Sequence, residues 1–203
     1  MAVEIELKTR IDEPEAMKKR LEALGSYAGA YEKADAYWFP AGNGAESPAS
    51  GLPPSGLRVR RETLTQKGGE VSACTRITYK SRKLREGVEM NDEREFEVSD
   101  AGVFEDLLRR LGLEPGIEKH KRGQGWRCGE GAGPVLAELS EVRGLGWFLE
   151  LEILAPPGDE RALTEGRERL FSLLDTLKIP RSRIESRPYT EMLRELAGSG
   201  NGT

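Results

Sequence analysis

Five short segments of this chain alternate charged and apolar residues, and this alternation constrains the fold more than any other feature of the sequence. Residues 3–8 read Val-Glu-Ile-Glu-Leu-Lys, and the segments 57–62, 77–80, 93–98 and 148–153 repeat the pattern. Period-two alternation is typical of strands with one apolar face and one polar face. A sheet that turns its polar face to water usually mixes Thr, Ser and Gln among the charges. Here the polar positions are nearly all Glu, Lys or Arg.

The helical segments of the chain carry apolar stripes that need a surface to pack on. If they cover the apolar strand faces from outside, the charged faces point inward together. The pattern contains about eight strands, which is enough to close a barrel with room for one ligand. A buried interior of mixed charge is costly because each unpaired ion loses its hydration. We therefore interpret it as a binding site, in which carboxylates hold divalent metal ions and Arg and Lys hold phosphates.

Composition narrows the class of protein. A length of 203 residues favours one domain, and a net charge of −4 argues against nonspecific nucleic-acid binding. Cys74 and Cys128 form neither a metal-ligand spacing nor a disulfide framework, which suits a reducing cytoplasm. The single histidine, His120, excludes zinc sites with several His ligands. We expect no signal peptide, no membrane span and a cytoplasmic location.

The coarse order of elements alternates strands with a few helices. Helices are expected from Asp12 and Pro14 to Gly25, after a cap at Ser99 or Asp100, and near 158–178 and 187–197. The second of these has an apolar stripe formed by Val103, Phe104, Leu107, Leu108 and Leu111. Residues 40–56 are expected to form a mobile loop and residues 83–92 a second polar loop. The remaining strands are expected near 31–39, 57–65, 71–82, 93–98, 117–126, 135–142 and 147–154.

The first strand carries a compact charged motif, Glu4-x-Glu6-x-Lys8. Successive side chains on one strand face are about 6.5 to 7 Å apart. Two carboxylates at that spacing can share a magnesium or manganese ion with substrate oxygens, and the lysine can reach a neighbouring phosphate. Taken alone, the same pattern also fits a solvated edge strand.

The position of this motif and the segments that follow it resemble the CYTH superfamily, the triphosphate tunnel metalloenzymes. That superfamily includes class IV adenylyl cyclases, thiamine triphosphatases and inorganic tripolyphosphatases. The resemblance covers nearly the whole chain and rests on the first motif, at residues 4–8, and on six more in the right order, at residues 33–38, 57–60, 78–80, 93–97, 142–152 and 188–193. The segment 142–152, Val-Arg-Gly-Leu-Gly-Trp-Phe-Leu-Glu-Leu-Glu, is close to that of the class IV cyclase branch.

The resemblance implies an α+β fold with an eight-stranded antiparallel closed β-barrel, a tunnel with a charged interior and flanking helices. It implies one domain over residues 1–197 and a flexible tail at 198–203. The implied triphosphate-binding residues are Lys8, Arg58, Arg60, Lys80, Lys119, Lys121 and Arg122. The implied metal ligands for Mg²⁺ or Mn²⁺ are Glu4, Glu6, Glu150 and Glu152. Lys8, Lys80 and Glu138 are the implied catalytic residues, and Tyr37, Glu95, Glu97 and Ser140 are further tunnel-lining candidates.

Two departures from the family pattern leave alternatives open. The cyclase pattern has Asp two residues before Val142, where this chain has Ser140, so either Glu138 replaces that acid or a metal contact is lost. The basic strand reads Lys119-His120-Lys121-Arg122, so its inward pair is either Lys119 with Lys121 or His120 with Arg122. A bulge would reconcile the first pairing with apolar residues that face outward.

The resemblance implies an enzyme that acts on a small-molecule triphosphate: ATP, thiamine triphosphate or tripolyphosphate. We rank cyclisation of ATP to cyclic AMP and pyrophosphate first, because of the segment 142–152. A triphosphatase is the alternative, and a noncatalytic nucleotide or polyphosphate binder is a second alternative. No nucleic-acid or membrane partner is expected, and the sequence is compatible with a homodimer.

Overall fold

The computed structural model describes residues 3–41, 56–85, 88–129 and 133–199. Its strands are β1 Val3–Ile11, β2 Gly25–Pro40, β3 Leu57–Gln66, β4 Val71–Arg85, β5 Val88–Val98, β6 Leu113–Cys128, β7 Val135–Val142 and β8 Gly146–Ala155. Its helices are α1 Pro14–Leu24, α2 Ala101–Arg110, α3 Glu160–Thr176 and α4 Tyr189–Ser199, and a short 3₁₀ turn spans Arg181–Arg183.

All strand pairs are antiparallel, so the predicted α+β class with an antiparallel sheet is confirmed. The strands follow the order β1-β5-β4-β3-β2-β6-β7-β8, and β8 pairs with β1 along the whole of β1, which makes a closed barrel. The sequence neighbours β2, β3, β4 and β5 are joined as a meander, and β6, β7 and β8 form a second one.

The helices fix which strand face points inward. Ile5 and Leu7 of β1 are buried in one cluster with Met17 and Leu21 of α1 and with Leu174 of α3. The helices therefore cover the apolar strand faces from outside. The charged residues between them lie on the opposite side of the sheet, which we call the inner face.

Several elements differ from their predicted bounds. The prediction of a polar loop at 83–92 is wrong, because β4 continues to Arg85 and β5 begins at Val88. Helix α1 is preceded by Glu13, without a side-chain cap from Asp12, and Gly25 is extended rather than left-handed because it already begins β2. The α2 cap is as expected: Asp100 accepts a hydrogen bond from the Val103 amide at 3.1 Å.

Two predicted flexible segments lie largely outside the described residues. They are the loop at 40–56, of which residues 42–55 are not described, and the tail, of which residues 200–203 are not described. Residues 198 and 199 belong to α4. None of the helices in the described ranges is both long enough and apolar enough to cross a membrane.

Candidate functional site

Three acidic residues lie side by side on the inner face where β8, β1 and β5 meet. Glu6 of β1 is directly opposite Glu152 of β8 and also opposite Glu89 of β5. Directly opposed residues share one face of an antiparallel pair, with Cβ atoms about 5 Å apart. Glu4 follows two residues away on the same face of β1. Glu4, Glu6 and Glu152 are three of the four acids that the resemblance implies as metal ligands; Glu89 was not among them because it lay in the expected polar loop.

Glu150, the fourth acid predicted to bind metal, has different surroundings. It lies opposite Lys8 of β1, and its carboxylate accepts short hydrogen bonds from the Lys121 ammonium and from the Tyr189 hydroxyl. Burial and this carboxylate raise the pKa of Tyr189 well above its ordinary value. Glu150 therefore positions the Lys121 ammonium and the Tyr189 hydroxyl through these two hydrogen bonds.

Asp35 of β2 is an anion enclosed by two cations. Arg60 donates two hydrogen bonds to its carboxylate at 2.7 and 2.9 Å, and the Lys119 ammonium lies 3.0 Å from it. Burial alone would raise the pKa of Asp35, but the charges of Lys119 and Arg60 outweigh burial and hold that pKa well below its usual range. The group is therefore a charged triad with a net positive charge.

Glu138 of β7 holds two further lysines. Its carboxylate accepts hydrogen bonds from Lys33 at 3.0 Å and from Lys121 at 2.9 Å. Burial raises the pKa of Glu138, but the two ammonium groups outweigh burial and lower it. Burial lowers the pKa of Lys121, and the carboxylates of Glu138 and Glu150 reverse that shift and raise it. The pKa of Lys33 stays lowered, mainly by its burial.

This arrangement bears on the predicted catalytic role of Glu138. A general base or a replacement metal ligand needs a carboxylate that can exchange partners, and both neighbours of Glu138 are buried cations. The Glu138 carboxylate is instead engaged in positioning Lys33 and Lys121. Ser140 lies two residues further along β7, fully buried opposite Gly123 and Phe148. The position at which the cyclase pattern has Asp is therefore on the inner face, but here it carries a serine.

The wall formed by β3, β4 and β5 carries the remaining predicted residues. Arg58 lies opposite Tyr37 and donates to the Thr78 hydroxyl at 2.9 Å and to Glu95 at 3.2 Å. Glu97 accepts from Arg76 at 3.4 Å. Because these residues pair in register, Arg58, Tyr37, Glu95 and Glu97 share the inner face.

The basic strand β6 has its inward pair at Lys119 and Lys121. Both residues are buried, whereas the side chain of Arg122 is 72% exposed and pairs with Glu141. His120 is also exposed. A register shift between β2 and β6 near Ala36 gives β6 this orientation. Arg122 therefore lies on the outer face, and we leave it out of the proposed phosphate-binding set.

The backbone of Lys80 lies on β4 opposite Glu93, on the strand face that also carries Thr78. Its side chain lies outside the described part of the structure.

The segment before α4 reaches the inner face at one end of the barrel. Lys8 donates to the Arg187 carbonyl at 2.7 Å, and a bridge joins Ile184 to Thr9. The ammonium groups of Lys8 and Lys119 lie 4.5 and 5.1 Å from the centroid of the Tyr189 ring. Two cations therefore converge on one aromatic ring.

A cavity of about 1010 Å³ adjoins this charged network. Its lining includes Lys33, Glu62 and Lys121 together with outer-face residues such as Arg61 and Arg122. The volume is at the upper end of the range for small-molecule sites, about 300–1,000 Å³.

The sequence matches the family model described as "CYTH domain" over residues 2–189. The chain belongs to the CYTH domain family. A search of curated proteins gives no significant match.

Solved structures share the CYTH fold of this chain. The PH1819 protein of Pyrococcus horikoshii OT3 is 25% identical, with a TM-score of 0.74 over 95% of this chain and 98% of that one. A candidate adenylate cyclase from Vibrio parahaemolyticus is 20% identical, with a TM-score of 0.68 over 94% and 97%. HpAC1 from Hippeastrum, described as having a dominant triphosphatase activity, is 18% identical, with a TM-score of 0.62 over 96% of both chains.

CYTH proteins generally use divalent metals, and the acids of the inner face provide the oxygen ligands that Mg²⁺ and Mn²⁺ prefer. Glu6, Glu152 and Glu89 are adjacent in register. Among the described side chains, no three acidic, histidine or cysteine residues converge at ligand distance. The donor type therefore fits such an ion, and the ion would have to draw the carboxylates together.

Several inner-face residues were not identified from the sequence as part of the site. Lys33 and Asp35 lie within the segment that resembles the family's second strand, and Tyr189 lies within the closing helix motif. Their partners are on β3, β6, β7 and β8, so no local sequence signal predicts these contacts.

Proposed function

We propose that this protein is a divalent-metal-dependent enzyme that acts on a linear triphosphate bound along the inner face. The observation that supports it best is the convergence of Lys8 and Lys119 on the Tyr189 ring, beside the row of acids that includes Glu6. Neighbouring cations repel each other, and a polyanion would relieve that repulsion.

The proposed roles follow from the residue types. Lys8, Arg58, Arg60, Lys119 and Lys121 neutralise the phosphate chain, and Lys80 is proposed to join them from β4. Glu4, Glu6 and Glu152 hold the metal, with Glu89 as an additional candidate. When bound, the metal polarises the phosphoryl group and orients the attacking oxygen. Asp35 and Glu138 keep the guanidinium and ammonium groups in place, which reduces the reorganisation needed when substrate binds.

We place cyclisation of ATP first among the reactions, because the segment 142–152 resembles that of the class IV cyclase branch. Gly144 and Gly146 of this segment have φ angles of 82° and 91°, so they also form the tight turn that joins β7 to β8. The ribose 3′-hydroxyl attacks the α-phosphate in this reaction, and pyrophosphate leaves.

One observation favours hydrolysis as the second candidate. Ser140 stands where the cyclase branch has an acid, and the nearest acid on the same face of β7, Glu138, is held by Lys33 and Lys121. A triphosphatase uses water as nucleophile and releases the terminal phosphate, so it does not need to position a ribose.

Product analysis tests the proposal and separates the two reactions. Purified protein is incubated with ATP, 3′-deoxy-ATP, thiamine triphosphate or tripolyphosphate, with Mg²⁺ or Mn²⁺. A cyclase forms cyclic AMP and pyrophosphate from ATP, and nothing from 3′-deoxy-ATP. A triphosphatase releases orthophosphate from both nucleotides. Ser140→Asp should raise cyclase activity if the acid at this position assists cyclisation. No turnover of any substrate with either metal would refute the enzymatic proposal.

A further inference from the structure

Helix α2 carries more apolar surface than the sheet covers. Phe104 and Leu108 pack against the outer face of the sheet. Val103, Leu107 and Leu111, which belong to the same predicted stripe, are 68%, 47% and 65% exposed. The sequence stripe is therefore divided, with one part in the core of this chain and the other on its surface.

The exposed part is continuous with the sheet. Val103, Leu107 and Leu111 recur every fourth residue, so they form one row along α2 and its C-terminal end. Phe96 of β5 is 54% exposed, and its ring centroid lies 6.1 Å from that of Phe104, beside the row. We call Phe96, Val103, Leu107 and Leu111 the α2 patch. Contiguous exposed apolar patches of this kind mark sites of association.

The charged residues beside the α2 patch can pair with the same residues of a second copy of this chain. Asp106 and Arg110 are four residues apart and lie on the flank of the row away from Phe104. Two α2 helices that meet antiparallel around a two-fold axis near Leu107 place Val103 of each copy against Leu111 of the other. In this register Asp106 of each copy is offset by two residues, about 3 Å along the helix axis, from Arg110 of the other, which a long arginine side chain spans, and an isologous contact repeats the pair.

Other occupants fit this surface less well. Membrane-surface helices need Lys and Arg beside their apolar face, whereas this flank contains an acid and a base. Asp106 bonds to Arg109 at 2.7 Å within the chain, but both side chains are largely exposed, so the pair can rearrange at little cost.

We propose that the α2 patch is the interface of a two-fold symmetric homodimer, with Leu107 at its centre. Burial of the patch supplies the driving force, and the reciprocal Asp106–Arg110 pairs set the antiparallel orientation.

Sedimentation equilibrium of the full chain across a dilution series tests this directly. The wild type should approach about 45 kDa, twice the 22.5 kDa of one chain. Leu107→Arg should raise the dimer Kd at least about tenfold, because it places a charge at the centre of the contact. Val71→Arg is the matched control: Val71 is 62% exposed on β4 but lies outside the patch, so the dimer should persist.

A charge exchange tests the two-fold arrangement independently. Asp106→Arg and Arg110→Asp should each raise the dimer Kd about threefold or more, and the double variant should restore the wild-type value. Circular dichroism confirms that each variant is folded. A wild type that remains monomeric, a dimer that Leu107→Arg leaves unchanged, or a double variant no better than the singles would overturn the proposal.

Discussion

Replacement of Asp35 by Asn should destabilise this protein far more than removal of an exposed carboxylate. Asp35 is 2% exposed and contacts both Arg60 and Lys119. The amide is nearly isosteric, so no cavity forms, but the two buried cations lose their counter-ion. Removing one partner of a buried ion pair costs about 3–5 kcal/mol. We expect the lower part of that range, because the Asn oxygen can still accept one hydrogen bond from Arg60.

The assay is urea unfolding followed by circular dichroism, with Asp175→Asn as control. The Asp175–Arg181 pair lies on the surface with side chains 55% and 59% exposed, so its loss should cost at most about 1 kcal/mol. Equal, small losses of unfolding free energy in both variants would refute the proposal that the Asp35 cluster is a buried charge network.

The pH dependence provides a second test of the same variant. The pKa of Asp35 is depressed in the folded state, so its stabilising contribution is complete above the unfolded pKa of about 3.9. Below that value the difference between wild type and Asp35→Asn should shrink by about 1.4 kcal/mol per pH unit, until the folded pKa is reached. A difference that grows as the pH falls below 4 would contradict the assigned charge state.

Three further predictions concern the proposed site. Glu6→Gln and Glu152→Gln should each abolish turnover while the circular dichroism spectrum is retained, since each removes a metal-binding charge; normal turnover at limiting Mg²⁺ would exclude them as ligands. Arg58→Ala should weaken tripolyphosphate binding about tenfold or more and orthophosphate binding much less, measured by competition with a fluorescent nucleotide; equal losses would place Arg58 outside the phosphate track. Lys121→Gln should raise the KM for the best substrate, whereas Arg122→Ala should leave it unchanged; matching KM values in the two variants would contradict the assigned strand faces.

The alternation within each strand predicted the fold because it assigns every residue of that strand to the apolar face or to the charged face. Ile5 and Leu7 face the helices, so Glu4, Glu6 and Lys8 must lie on the inner face whatever the remainder of the chain does. The extent of β4 and β5 was not predicted, because residues 83–92 contain only three apolar residues, Leu84, Val88 and Met90, and their strand structure depends on pairing with each other and with β1.

The side-chain contacts within the site could not be predicted from the sequence in the same way. The choice between Lys119 and His120 as the inward residue depends on a register shift near Ala36, which only the paired strands define. The engagement of Glu138 by Lys33 joins residues 105 positions apart. The stripe of α2 likewise predicts a helix without showing which of its apolar residues the sheet covers.

Calorimetric titration of the wild-type protein with tripolyphosphate in the presence of Mg²⁺ tests whether the inner face binds a linear triphosphate together with a divalent ion. We expect one saturable site per chain, much weaker binding of orthophosphate, and loss of affinity when Mg²⁺ is chelated. Absence of saturable binding, or equal affinities for tripolyphosphate and orthophosphate, would contradict it.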